Sequence, residues 1–395
     1  MLRATTNETK STSQLLPDQR CRHFSLVEIL SAIQICNEAA IGRGGFGEVF
    51  KGYLNDGPTT VVAIKRSKST SNKLTPQLWS EVETLSTVRH SNLVSLIGYC
   101  NEGTEMALVY EYMPNGTLED HLHKNGAPLS WLQLLKICIG VAQGLDYLHT
   151  RSGTKLSIIH RDLKSSNVLL DADFVAKISD FGIARTGRTN QKATHVSTVV
   201  KGTFGYFDPS YFNSGKLRIK SDVYAFGVIL LEVICGLPAV HNSEDGDERG
   251  LAPWAKGCIK QGRLSGIIDR RLSGQIASKC GKDFARIACD CVHEMPHMRP
   301  EMAAVVLRLQ GILSLQERKG SSTPEPTFVD KLLSCFRPTV ESEGSNLIFD
   351  GGSESEPSDE LNDFLGKVVS VLFLRGGSVS NHLKPPRRVL AQLLL

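Results

Sequence analysis

Between residues 36 and 112 the apolar positions fall in short, strand-like runs, and from about 114 to 315 they recur at helical spacing instead. Glu48-Val49-Phe50-Lys51-Gly52-Tyr53-Leu54 is β-branched and aromatic, Asn55-Asp56-Gly57-Pro58 is a turn sequence, and Thr59 to Ile64 is again strand-like. Together they predict a β-hairpin. Ahead of it, Leu26, Ile29, Leu30 and Ile33 predict a short amphipathic helix. After it, Thr75-Pro76 reads as an N-cap with proline at the first helical position. At roughly 100° per residue, Leu78, Val82, Leu85 and Val88 then share one arc, with Glu81 inside it and Glu83 nearly opposite. Glu81 is therefore expected to face the interior and Glu83 the solvent. The change of period marks two lobes of an α+β fold: a small β-rich N-lobe with one main helix (36–112) and a larger α-helical C-lobe (113–315).

The flanks differ from this body. Residues 1–35 read as a flexible lead-in, polar up to residue 22, and 316–395 as a largely disordered tail rich in Ser, Pro and Glu. In that tail Glu341, Glu343, Glu354, Glu356, Asp359 and Glu360 occupy a span without Lys or Arg, as a solvated segment would. Phe364 to Leu374 is apolar but carries Lys367, and reads as a weakly packed strand or helix. The longest apolar run, Ala225 to Val240, is interrupted by Glu232 and too short to span a bilayer, so it reads as a buried core helix. Met1-Leu2-Arg3 opens neither an apolar leader nor a myristoylation signal.

Bulk composition narrows the function classes. With 41% hydrophobic and 22% charged residues the chain is globular in character, and a net charge of +4 over 395 residues argues against nucleic-acid binding. The ten cysteines are scattered, Cys289 and Cys291 forming C-x-C rather than paired C-x-x-C units, which favours buried reduced thiols and a cytosolic compartment over a zinc module.

Gly42, Gly44 and Gly47 form G-x-G-x-x-G, a pattern that dinucleotide-binding folds also carry. Such a site needs a helix directly after the glycines. Here a hairpin follows, so the glycines are expected to bend a strand-turn-strand flap close over phosphates, with main-chain N–H groups as donors. Val49 and Ala63 then face the base, and Lys65 ends the string Val62-Ala63-Ile64-Lys65. An inward carboxylate is costly to bury alone, so Glu81 is the expected partner of Lys65.

The string Ile159 to Gly182, IHRDLKSSNVLLDADFVAKISDFG, is identified as the signature of protein kinases, H-R-D-L-x-x-x-N followed by D-F-G. The resemblance implies a protein-kinase-like bilobal fold, ATP and Mg²⁺ as cofactors, Asp162 beside the attacking hydroxyl, and Asn167 and Asp180 as metal ligands. It also implies that Lys164 approaches the transferred phosphate, as in Ser/Thr rather than Tyr kinases, and that Gly45, Phe46 and Leu169 join the glycines at the nucleotide. Leu108 to Met113 followed by Asn115-Gly116 resembles the hinge of plant receptor-like kinases related to Pelle, which puts Tyr110 at the gatekeeper place and adds Glu111 and Met113 to the nucleotide seat.

From about Phe24 to Gln316 the chain is most similar to the malectin-ectodomain, FERONIA-like subgroup, with His195 to Tyr206 as activation segment and Lys220 to Tyr224 opening the next helix. By that resemblance residues 1–35 are juxtamembrane-like, and Arg161 pairs with a phosphate on Thr194, Ser197, Thr198 or Thr203. Thr203 has the alternative of contacting Asp162. Two departures stand out. Asp208-Pro209-Ser210 puts serine where the family commonly has glutamate, so Arg299 of Met298-Arg299-Pro300 is expected to have lost its partner and to bond elsewhere, reach water or loosen the C-lobe. The subgroup's membrane span and ectodomain have no counterpart in this sequence, which leaves open a cytoplasmic kinase or a truncated receptor product. The leading expectation is a serine/threonine protein kinase in signal transduction, cytoplasmic or at the inner face of the plasma membrane. Its partners would be protein substrates and an upstream receptor or kinase, through which peripheral membrane association could arise. A catalytically weak scaffold and a small-molecule phosphotransferase are the rival readings.

Overall fold

The N-terminal sheet forms around strands Thr60–Lys68 and Glu105–Glu111, of which the first alternates buried and half-buried positions and the second is buried on both faces. A computed structural model describes residues 21–34, 40–44, 47–54, 59–68, 76–124, 126–150, 156–188, 195–242 and 248–320. Strands β1 (Arg22–His23), β2 (Gly42–Gly44), β3 (Gly47–Leu54), β4 (Thr60–Lys68), β5 (Leu96–Glu102) and β6 (Glu105–Glu111) form one sheet in the order β1-β5-β6-β4-β3-β2. The expected hairpin is β3–β4, antiparallel with Val49 opposite Lys65 and Lys51 opposite Ala63. In β4, Val62 and Ile64 are fully buried on one face. Ala63 and Lys65 take the other, where Tyr110 and Leu108 of β6 stand opposite them.

The face of Val62 and Ile64 is closed by residues N-terminal to the expected domain start. Helix α1 (Leu26–Gln34) begins with a reciprocal cap in which the Ser25 N–H and hydroxyl donate to Glu28 Oε2 at 2.8 Å each, and Glu28 N–H donates back to Ser25 Oγ at 3.2 Å. Its Ile29 and Ala32, with Phe24, join Val62, Ile64, Cys100, Ala107 and Val109 in a separate core cluster. β1 extends the sheet in parallel with β5, and Gly98 makes this possible: a Cβ there would lie 2.1 Å from the Arg22 carbonyl oxygen. Residues 21–34 are thus part of the sheet's packing, because an amphipathic helix beside an open apolar sheet face buries both. On the other side lies α2 (Pro76–Leu85), with Leu78, Glu81, Val82 and Leu85 buried and Glu83 exposed.

The helical portion comprises α3 (Leu118–His123), α4 (Trp131–Thr150), α5 (Pro209–Ser214), α6 (Ile219–Cys235), α7 (Leu251–Lys260), α8 (Ser278–Cys291) and α9 (Met302–Gly320). Short strands β7 (Leu156–Ile159), β8 (Val168–Leu170), β9 (Ala176–Ile178), β10 (Arg185–Arg188), β11 (Val196–Ser197) and β12 (Lys216–Leu217) carry the loops between them, and β13 (Val240–Asn242) pairs with β14 (Glu248–Gly250). The apolar run read as a core helix is helical only as far as Cys235, within α6, in which every residue from Ser221 to Cys235 is buried; Gly236 caps the helix in a left-handed conformation and Val240 begins β13. Trp131 of α4 meets Phe284 of α8 edge-on at 5.0 Å. No helix among the described residues is long and apolar enough to cross a membrane. The eight described cysteines are all free, and seven are buried. All described residues belong to one unit, and α9 runs past the expected end at 315. Gly45, Phe46, Thr75, Thr194, the hairpin turn and the acidic tail lie outside the described residues.

Phe24→Ala is expected to destabilise the protein by about 3–5 kcal/mol. Urea unfolding followed by intrinsic fluorescence checks this, and a change under about 1 kcal/mol would show that the Phe24–α1 strap contributes little.

Candidate active site

The loop after β7 is held by one buried carboxylate. Asp222, 1% exposed, accepts from the His160 N–H (2.9 Å), the Arg161 N–H (2.8 Å) and the His149 ring (2.9 Å). It sits in the first turn of α6, where the helix dipole also favours negative charge. The His160 ring donates to the Ser179 carbonyl at 2.8 Å and meets the fully buried Phe181 ring edge-on at 4.9 Å. Arg161 and Asp180 both have left-handed backbones, φ 74° and 63°, conformations that non-glycine residues hold only when their surroundings require it. The loop's polar side chains are set by these anchors. Asn167 donates from Nδ2 to the Asp162 carbonyl at 2.8 Å, while its own carbonyl accepts from Ser179 N–H (2.9 Å) and Oγ (3.1 Å). Asp162 Oδ1 accepts from the Thr203 hydroxyl at 2.7 Å, and Lys164 Nζ donates to Thr203 Oγ1 at 3.0 Å while lying 3.4 Å from Asp162 Oδ2.

Across the cleft, Lys65 Nζ donates to Glu81 Oε2 at 2.9 Å and to Asp180 Oδ1 at 3.1 Å. β4, α2 and the loop after β9 therefore meet at one ammonium. Burial alone would pull the lysine down, but the carboxylates of Glu81 and Asp180 override it and hold its pKa above the ordinary lysine range. For Asp180 the balance is reversed: burial raises its pKa, and Lys65, with smaller help from His160 and Lys164, brings it below the usual carboxylate value. Glu81 also accepts from the Phe181 N–H at 3.3 Å, so α2 and the Asp180-Phe181-Gly182 turn share a carboxylate.

The nucleotide-seat residues divide. Val49, Ala63 and Tyr110 share the sheet face of Lys65 through the β3–β4 and β4–β6 registers. Gly47 has φ 129°, and a Cβ on it would lie 2.2 Å from the Arg66 carbonyl oxygen, so this flap turn accepts only glycine. Gly42 and Gly44 flank it on β2. Tyr110 is buried, and burial followed by the Glu81 and Asp180 charges keeps its hydroxyl protonated. Met113 is buried, and Leu169 is the partly exposed middle residue of β8. The Glu111 carboxylate accepts from the Ser95 N–H at 2.8 Å and lies 3.7 Å from Lys177, so any contact of Glu111 with a base is through main chain.

Residues 35–309 match the family described as protein tyrosine and serine/threonine kinase. The chain belongs to that kinase family. The kinase region is 50% identical over 316 residues to receptor-like protein kinase FERONIA of Arabidopsis thaliana, covering 80% of this chain and 35% of that relative. Receptor-like protein kinase ANXUR1 of the same plant is 48% identical over 299 residues (75% and 35%), and receptor-like protein kinase THESEUS 1 is 46% identical over 322 (80% and 37%). The chain spans about a third of the length of these curated relatives. The kinase region thus groups with the plant receptor-like kinases, as its motifs indicate.

Of the three outcomes expected for Arg299 in this kinase, the structure shows the first. Without a glutamate at 210 it bonds elsewhere: Nη2 donates to Asp208 Oδ1 at 2.6 Å, with both side chains essentially inaccessible (0% and 1%). The His293 carbonyl accepts from its Nε at 2.7 Å and the Lys220 carbonyl from its Nη1 at 2.8 Å. Asp208 can do this because it caps α5, accepting from Ser210 N–H at 2.9 Å and Ser221 Oγ at 2.8 Å, so its carboxylate already points inward two residues before the serine.

The kinase also holds polar residues that motif reading passed over. Glu232 of α6, 1% exposed, accepts from Tyr206 Oη (2.8 Å), the His123 ring (3.0 Å) and Ser165 Oγ (3.2 Å); burial raises its pKa and these donors oppose the rise. A glutamate inside an apolar helix was the available signal, since it needs partners wherever it is buried. Tyr211 of α5 is the other, and accepts from Arg161 Nε and Nη2.

Asp208→Asn is expected to destabilise this domain by about 3–5 kcal/mol by leaving the Arg299 guanidinium buried without a counter-charge. Ser210→Glu, by contrast, is expected to raise the melting temperature by no more than about 1 °C, because Arg299 is already satisfied. Thermal unfolding of both variants checks the pair, and a clear gain from Ser210→Glu would reinstate the missing partner.

Proposed function

We propose that the chain is an ATP- and Mg²⁺-dependent protein serine/threonine kinase that phosphorylates protein hydroxyls, its own included, in signal transduction. The observation that carries this reading is the Lys65 ammonium held between Glu81 and Asp180, at 2.9 and 3.1 Å. A cleft with a charged lysine on one wall and an acidic turn on the other suits a polyphosphate with its cation. The residues fit the metal as well. Among the described residues no cluster of three or more His, Cys, Asp or Glu forms a site by itself. Asn167 and Asp180 supply one amide and one carboxylate, a set that Mg²⁺ completes with phosphate oxygens and water. When bound, the ion neutralises charge on the phosphates.

The chain's own groups then have separable tasks. Lys65 orients the α and β phosphates, the Gly42–Gly47 flap donates main-chain N–H groups, and Asp162 positions the substrate hydroxyl and takes its proton. Lys164, beside Asp162 and Thr203, faces the transferred group and supports Ser/Thr over Tyr as acceptor. Arg161 Nη1 is buried without a partner and Nη2 lies 3.2 Å from Thr198 Oγ1, which supports Thr198 as an acceptor whose phosphate Arg161 would bind. The scaffold reading loses its main support because Arg299 is paired. We further propose that 36–315 is the catalytic domain, with lobes 36–112 and 113–315. It would work in the cytoplasm or at the inner face of the plasma membrane, downstream of a receptor or kinase.

Purified protein with labelled ATP, Mg²⁺ and a generic protein acceptor is expected to transfer label to Ser and Thr, and Asp162→Asn to lower the rate by about 10²–10⁴-fold while nucleotide binding persists. Label on neither the protein nor the acceptor, with nucleotide still bound, would favour the scaffold. Lys65→Met is expected to abolish transfer and also to lower the melting temperature, because Glu81 and Asp180 would face each other uncompensated.

A further inference from the structure

Arg161 is the residue directly before Asp162, and its left-handed backbone, φ 74°, needs support. Its N–H is held by Asp222, but its guanidinium is held chiefly by an uncharged group. Tyr211 Oη accepts from Arg161 Nη2 at 2.8 Å and from Nε at 3.0 Å. The same oxygen accepts from the Lys201 N–H at 3.2 Å and donates to the Val199 carbonyl at 3.2 Å. Val199 O in turn accepts directly from Arg161 Nη2. One hydroxyl therefore joins the loop bearing Asp162 to the segment bearing Thr203, two residues past Lys201.

The ring below it is fixed independently of those bonds. Tyr211 is 2% exposed and forms a small core cluster with Ile159, at the end of β7, and Leu217 of β12, with Val196, Val200, Phe207 and Ile219 around it. α5, which carries Tyr211, is anchored at its cap by the Asp208–Arg299 pair. The hydroxyl is thus presented by a packed support to two loop strings, which is the arrangement that preorganises a reacting group.

We propose that Tyr211 is a positioning residue for phosphoryl transfer: its hydroxyl is a built-in, uncharged partner that locks Arg161 against residues 199–201, and so aligns Asp162 with Thr203 before any phosphate reaches the segment. The inference rests on the kinase reading above. It assigns Tyr211 no contact with substrate, so its effect passes through Arg161 and the main chain of residues 199–201. Asp162 and Thr203 are 2.7 Å apart in this locked state, and slack at Arg161 lengthens that contact first.

Tyr211→Phe removes one oxygen and keeps the ring in its cluster. Its kcat for a protein acceptor is expected to fall about ten- to hundredfold, the loss of a hydrogen bond to a charged group, with KM for ATP within about twofold. In an Arg161→Met background the same change is expected to have a clearly smaller effect than in the wild type, since part of it acts through Arg161. Amide exchange measured by mass spectrometry is expected to rise about tenfold or more at the segment containing Lys201 and to stay unchanged in α6. Unchanged kcat and exchange would overturn the proposal. So would multiplicative effects of the two substitutions, or a fall in melting temperature together with lost nucleotide binding, which would make Tyr211 only a core residue. Wild-type protein that transfers no phosphate would sink the enzyme reading instead, and the exchange of Lys201 in Tyr211→Phe would still decide whether the hydroxyl locks the segment.

Discussion

A lysine ammonium with little access to water is stable only if negative charge surrounds it, and in this protein that charge comes from two separate elements. Glu81 stands on a helix beside the sheet and Asp180 on a loop of the helical portion, and Lys65 bonds to both. Neither carboxylate is comfortable alone: Glu81 is 1% exposed, and burial works against ionised Asp180. The three groups therefore require one another, and satisfying them sets the position of α2, the sheet and the Asp180-Phe181-Gly182 turn together. A site that needs a fixed cation opposite a fixed anion obtains both from the same charge balance.

The helical portion uses the same device with hydrogen bonds. α6 is buried from Ser221 to Cys235, yet it carries Asp222 and Glu232, each bonded by donors from other elements. An all-apolar helix would pack with many rotations of similar energy. Two buried carboxylates with fixed partners select one, and through it they fix the loop of Asp162 and the Tyr206 end of the activation segment. Asp208 and Arg299 do the equivalent for α5, and Tyr211 carries the order from α5 back to Arg161.

Much of this was legible because periodicity and spacing are local. The inward turn of Glu81 followed from its place on a helical arc, the hairpin from alternation around a turn, and the core helix from an apolar run too short for a bilayer. The lead-in helix was also legible, though its role was not: nothing in Leu26, Ile29 or Ile33 says that they cover Val62 and Ile64. The choice left open at Arg299 has the same origin. Reading along the chain, Ser210 removes the expected glutamate, but whether an arginine is left unpaired depends on every carboxylate within reach, and Asp208 is within reach only because it caps α5.

By itself the sequence determined the order of elements and the kinase signature, since each is a matter of residue type at short spacing. Only the tertiary structure decided that Asp180 shares Lys65 with Glu81, that Asp208 neutralises Arg299, that Phe24 and α1 complete the sheet, and that a tyrosine hydroxyl meets Arg161. Those outcomes depend on the burial of groups far apart in the chain, such as Arg161 with Tyr211, 50 positions on, and Lys65 with Asp180, 115 positions on. The cost of leaving a buried polar group unpaired is paid in three dimensions, and no local pattern records it.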